Sequence, residues 1–214
     1  MDVLPPVARD EALCVCGPRA AVAPADGVPP VFLRLLLAGA LEPVEYAELL
    51  VQYRAIYAAL DRAAEAYAAD DPLPRWLRAG IRAGLEDLEA DLAVLLGARW
   101  SEAEVMPATC AYVDQAGAAA ASVEGLVAHH LVRYGADRLG AGHIRLALGD
   151  AYGPLAGRLA FHGFRGFRGA AWSGGGEPAG WTHEQCERVA AEAALASACD
   201  RALLDALGDA LARR

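Results

Sequence analysis

The sequence predicts an all-α, single-domain protein, and three observations carry that expectation. Its 214 residues fit one domain of ordinary size, since domains run to about 100–200 residues and a chain this long can bury one substantial core. It is 56% hydrophobic, rich in Ala and Leu with only four Phe, which suits closely packed helices better than a β-sandwich. From Val31 onward, apolar residues recur at spacings of three and four over long stretches.

Residues 1–30 hold six prolines and no sustained period, so they read as an irregular arm with one helical turn around Glu11 to Val15. Residues 31–214 form the helical domain. "VFLRLLLAGAL" is a first helix ending at a glycine-bearing turn, and "EPVEYAELLVQYRAIYAALDRAAEAYAA" a second that "DDPLPRW" stops. "LRAGIRAGLEDLEADLAVLLG" is a third, with acidic residues early and on its outer face. "SEAEVMPATCAYVDQA" is a capped turn leading to a fourth, and Ala/Gly-rich residues 116–121 lead into a fifth that contains "LVRYGADRLGAGHI". "HIRLALGDAYG" continues or follows it, "LAFHGFRGFRG" is a short aromatic and basic segment, and "AAWSGGGEPAGW" is a loop. The last helix opens at Thr182 as cap, with Gln185 at the reciprocal position of a capping box.

Net charge is −9 and lysine is absent, so all 19 basic residues are arginine. A nucleic-acid partner is therefore not expected. The longest apolar stretches fall short of the roughly 18–20 residues a membrane span needs, and no leader peptide opens the chain, so a soluble, cytoplasmic protein is expected. Five cysteines, an odd number, suit a reducing compartment, and the CxC of Cys14 and Cys16 is a weak metal signal.

The fifth helix raises a question of its own. Gly135, Gly140 and Gly142 fall within eight positions, and each costs a helix interior roughly 0.5–1 kcal/mol relative to alanine. Missing side chains let a helix pack closely against a neighbouring helix, or let its backbone lie against a flat ligand. Spacing alone separates neither from the other.

"LVAHHLVRYGADRLGAGHI" resembles the distal helix of the biliverdin-forming heme oxygenases, whose pattern is roughly AHxYxRYxGDLSGGQ. Further segments are similar in order: "VEYAELLVQYRAIYAALDRA" to the family's second helix, "LEADLAVLLGARW" to its LExDL…W segment, "PATCAYVDQ" to the turn and helix before the distal helix, "LAFHGF" to its LxFYxF, and "ERVAAEAALASACDRALLDAL" to its last helix. The resemblance covers residues 31–214 with one shortened loop.

It implies heme held between a proximal and a distal helix as both cofactor and substrate. O₂ and an external electron donor, a ferredoxin or flavoprotein reductase, would open the ring to biliverdin, iron and CO. Carried over residue by residue, Asp137 matches the aspartate that anchors a proton-delivering water network, Arg133 and Tyr134 match the RY pair, and Tyr57 matches a network tyrosine. Ala136 and Gly140 fall at family glycines lining the heme, and Phe164, Arg165 and Arg168 fall where the shortened segment would meet heme and its propionates, guanidinium pairing well with carboxylates.

The chain also departs from the pattern. The first and third distal glycines are Ala136 and Ala141, the tyrosine near the heme edge is Leu131, and the axial histidine falls at or near Pro24, with no histidine before His129. Proline has no ring nitrogen to ligate iron, and Pro18, Pro29 and Pro30 argue against a regular proximal helix. A thiolate from Cys14 or Cys16 could take that place, or the histidine-bearing helix could lie upstream of Met1. Otherwise the scaffold serves a catalytically impaired or non-catalytic heme or tetrapyrrole-binding protein.

Other constellations are weaker. His129 and His130 point about 100° apart on a helix and cannot ligate one metal as an i, i+4 pair would, so one is expected to face the core and the other to be packed or partly exposed. No Glu-x-x-His pair supports a di-iron site, and "SGGGEP" lacks the lysine and strand–helix setting of a phosphate loop.

Overall fold

The computed structural model describes residues 28–67, 75–163 and 181–214, and it is all helical there. The expected helical turn around Glu11 to Val15, the "DDPLP" stop and the glycine-rich loop after Gly163 lie outside those residues. Six α-helices follow one another: α1 Val31–Leu37, α2 Pro43–Glu65, α3 Arg75–Leu96, α4 Pro107–Ala119, α5 Val123–Tyr152 and α6 His183–Ala212. Short 3₁₀ segments follow α3 and α5, at Gly97–Glu102, Gly153–Arg158 and Phe161–Gly163. No helix among the described residues is long and apolar enough to cross a membrane.

The ends of the helices follow from local chemistry. Gly39 ends α1 at φ +64°, where a side chain is strained, and a Cβ there would also press to 3.0 Å from the Ala147 carbonyl of α5. Pro43 opens α2 at a position whose N–H is not needed, and Glu42 and Glu45 cap each other reciprocally. The α4 start is held from a distance: Gln52 of α2 accepts from the Met106 N–H at 2.9 Å and the Thr109 hydroxyl at 2.7 Å. Ser122 caps α5, and Thr182 with Gln185 forms the predicted capping box of α6.

The bundle is organised around α2 and α5. Along α2, Tyr46, Leu49, Leu50, Tyr53, Ile56, Tyr57, Leu60 and Ala64 are buried at helical spacing, and the helix packs chiefly on α3. α5 runs unbroken for 30 residues, about 45 Å, and packs chiefly on α6. Residues 126–135 of α5 are all buried, so tertiary contact outweighs the helix-weakening effect of its glycines. His129 and His130 are both fully buried, so of the two expected alternatives the second imidazole is packed and not partly exposed, because that whole turn of α5 lies inside the bundle.

Two glycines serve close packing. A Cβ on Gly125 would sit 2.1 Å from the Ala119 carbonyl oxygen, and one on Gly84 2.4 Å from Cε1 of Tyr57. The Gly125 neighbour is backbone, which no rotamer change relieves. Gly125→Ala is therefore expected to lower the unfolding free energy by about 2–3 kcal/mol, as overpacking does. Gly117→Ala, where nothing lies within 4 Å, should raise it by up to about 1 kcal/mol through helix propensity alone. Urea titrations with unchanged slope would measure both.

Candidate functional site

Where α2, α5 and α6 meet, the bundle interior holds a charged array in place of hydrocarbon. Arg133 and Asp137, one turn apart on α5, are each about 2% exposed and form a bidentate pair: Nε donates to Asp137 Oδ2 at 2.9 Å and Nη2 to Oδ1. Tyr57 of α2 donates its hydroxyl to the same Oδ2 at 2.8 Å. The remaining arm of Arg133, Nη1, donates to Asp200 of α6, and its guanidinium lies 3.7 Å from the centroid of the Tyr53 ring. One cation is thus held by two carboxylates and an aromatic face.

Burial would by itself drive Arg133 toward the neutral form, but Asp137 and Asp200 more than offset that and keep it charged. Burial also raises Asp137 above the ordinary carboxylate range, and the Arg133 charge and the Tyr57 hydrogen bond pull it only partway back. Tyr57 is pushed up by burial first and by Asp137 second, so it stays a donor. The result is a dry carboxyl with an elevated proton affinity and three fixed donors.

The wall around this array is aromatic and imidazole. Asp91 of α3, fully buried, accepts from the backbone N–H groups of Ala160 at 2.6 Å and Phe161 at 3.0 Å, which fixes the Phe161–Gly163 turn. That turn sets Phe161 edge-on to Tyr57 with centroids 5.6 Å apart, and His162 Nδ1 at 2.7 Å from the Tyr46 hydroxyl. His130 stacks on Tyr134 with centroids 5.1 Å apart, and His129 lies 3.9 Å from Glu192 of α6. Burial pushes His129 down to about 4, and His130 and His162 to about 3, so all three are neutral near pH 7.

One turn beyond Asp137, Gly140 and, on the opposite side of the helix, Gly142 meet little among the described residues. A Cβ at Gly140 would meet only Ile144 Cδ1 of its own helix at 3.6 Å, and one at Gly142 would meet nothing within 4 Å. Packing against another described helix therefore does not account for these two glycines, in contrast to Gly84 and Gly125. Farther along the same helix an open cleft of about 550 Å³ separates α5 from the end of α1, with Leu37 and Gly39 on one side and His143, Leu146 and Asp150 on the other.

Of the residues singled out from sequence, Tyr57, Arg133 and Asp137 come together, Tyr134 is buried beside His130, and Gly140 meets only Ile144 of its own helix among the described residues. Ala136 lies on α5 with its side chain outside what the structure describes, and Phe164, Arg165 and Arg168 lie outside the described residues altogether. Sequence reasoning missed Tyr53, Asp91, Asp200 and the Tyr46–His162 pair. Among the described residues no group of three or more His, Cys, Asp or Glu is arranged to hold a metal ion, a di-iron site included.

Comparisons with known proteins bear on the family and the fold. The heme oxygenase family profile matches residues 29–196. The fold is similar to that of heme oxygenase-1 from the cyanobacterium Synechocystis sp. PCC6803 in complex with heme, with a TM-score of 0.65 at 22% identity over 86% of each chain. It is also similar to heme oxygenase-2 from Synechocystis sp. PCC 6803 in complex with heme and NO, with a TM-score of 0.59 at 19% identity over 90% of this chain and 80% of that one. No curated protein matches the chain by sequence. The family match spans well over half of the chain and runs through α1 to α5 and into α6, so this chain is a member of the heme oxygenase family.

Proposed function

We propose that the protein binds heme against α5 at Gly140 and opens it to biliverdin, iron and CO with O₂ and electrons from a ferredoxin or flavoprotein reductase. The observation that carries this reading is the buried Tyr57–Asp137–Arg133 array, one helical turn from the Gly140 face. Heme, when bound, supplies both the centre where O₂ reacts and the ring carbon that is oxidised.

The residues present on the distal side fit such a group. Gly140 leaves room for a planar ligand to approach the main chain, since the Cβ that would stand in the way is missing and the one described atom within 4 Å of its position is Ile144 Cδ1 of the same helix, at 3.6 Å. Asp137, raised above the ordinary carboxylate range by burial, is the group there that can take up and release a proton, in a buried region walled by Tyr53 and Tyr57. Tyr57 and Arg133 fix the orientation of that carboxyl, so it needs little reorganisation to exchange a proton. Arg165 and Arg168 remain the candidates for meeting the propionates.

The proximal side favours a second reading. No histidine precedes His129, so the segment before α1 offers no imidazole for iron. A protein that binds heme or another tetrapyrrole without turning it over is consistent with that lack.

Titration with hemin, followed by reductant, distinguishes the two. The enzyme reading expects a saturable 1:1 Soret band that gives way to biliverdin absorption when electrons are supplied. A stable Soret band with no biliverdin selects the binding protein, and no Soret band at all removes both.

A further inference from the structure

The Arg133 guanidinium carries one positive charge between two carboxylates that sit on different helices. Asp137 takes Nε and Nη2, and Asp200, whose side chain is only 18% exposed, takes Nη1. With both acids ionised the cluster has an excess of one negative charge inside the bundle. An excess buried charge is relieved most directly by a proton.

The groups around Asp137 from each packed element are few. α2 contributes Tyr46, Tyr53 and Tyr57, α4 contributes Tyr112, α5 contributes Arg133 and α6 contributes Asp200, while Tyr134 of α5 and His162 of the 3₁₀ turn adjoin Tyr57 and Arg133. α3 presents Gly84 toward Tyr57, while its Asp91 is committed to two backbone N–H groups. Burial raises Tyr46, Tyr53, Tyr57 and Tyr112 and lowers His162, so none of these five carries charge near pH 7. Arg133 and Asp200 are therefore the charges that govern Asp137.

Resting on the reading of Asp137 as the proton-handling group, we propose that Asp200 is a positioning residue for the same reaction: it takes one arm of Arg133, leaves Asp137 a shared counter-charge, and so keeps that carboxyl able to take up and release a proton. Two effects act in one direction. The negative charge of Asp200 opposes ionisation of Asp137, and the guanidinium that would favour ionisation is divided between the two. Without Asp200, Asp137 would hold Arg133 alone and become a fixed carboxylate in a closed ion pair. Asp200 also pins the α6 side of the array to α5, which sets where the Arg133 fork points.

Infrared titration of the full-length protein without heme reads this directly. The protonated-carboxyl stretch of Asp137 is identified by its loss in Asp137→Asn, and its midpoint is followed with pH. Asp200→Asn is expected to lower that midpoint by about one pH unit, a tenfold change in proton affinity, and Asp200→Glu to restore most of it. Should Asp200→Asn not fold by circular dichroism, Asp200→Ser removes the same charge with a smaller polar group. In hemin-loaded protein the acid limb of the turnover profile should move with the midpoint. A midpoint that stays put or rises overturns the proposal, even if wild-type turnover is intact. A lowered midpoint in a protein that makes no biliverdin leaves the charge sharing in place and removes the catalytic reading instead.

Discussion

Asp137→Ala is expected to slow biliverdin formation at least a hundredfold while hemin affinity stays within a few-fold, a size typical of losing a positioned acid–base group. The asymmetry follows from where the carboxyl sits. Asp137 is 3% exposed and fully engaged by Arg133 and Tyr57, so it adds nothing to the surface a planar ligand would rest on one turn away. Its removal does not strand Arg133, which keeps Asp200 and the Tyr53 face. The variant should therefore fold, bind and fail. Asp137→Asn separates two roles: it keeps an oxygen that can accept from Tyr57 but cannot exchange a proton near neutral pH, so it too should be slow. Single-turnover biliverdin absorbance after reduction checks both, and a rate in Asp137→Ala equal to wild type would remove Asp137 from the proton path.

The helices were legible because their apolar residues repeat at three and four and their ends carry recognisable caps, as at Thr182 and Gln185. The continuity of α5 was less so. Three glycines in eight positions weaken a helix locally, and only the burial of residues 126–135 within the bundle explains why Val123–Tyr152 is one element. Tyr57, Arg133 and Asp137 were found through a resemblance, since a lone aspartate on a helix otherwise reads as solvated. Yet a physical signal was present for the acids that were missed. Asp200 falls on the stripe formed by Val189, Ala193, Ala196, Leu203 and Leu207, and Asp91 on the stripe of Ile81, Leu88 and Leu92. A carboxylate in the apolar phase of an amphipathic helix must be paired or it would not be tolerated there. Tyr53 sits one turn before Tyr57 on the buried face of α2, where a tyrosine reads as ordinary core. What no periodicity supplies is the partner, because Arg133 meets Asp200 across 67 residues of sequence.

Arg133→Met is expected to destabilise the protein by about 3–5 kcal/mol near neutral pH, the cost of removing one partner from a buried ion pair. Methionine replaces the aliphatic stem and can still pack on Tyr53, so the loss comes from the two stranded carboxylates, the fully buried Asp137 above all and Asp200 beside it, and not from a cavity. Asp137 would then face burial with only the Tyr57 hydroxyl to oppose it. Its folded-state proton affinity, already raised with Arg133 present, would rise further above the unfolded value near 4. For a carboxyl whose folded value is raised, the folded form binds more protons than the unfolded one between the two values. Stability must therefore increase as pH falls through that window, by up to about 1.4 kcal/mol per unit for one group. The variant should thus be more stable at pH 5 than at pH 8 relative to wild type, the reverse of ordinary acid destabilisation. Adding Asp137→Asn to it should recover part of the loss and flatten that dependence. Urea midpoints measured at both pH values for the single and double variants test the argument, and a penalty that is independent of pH would show that the guanidinium holds the bundle together by packing instead of by charge.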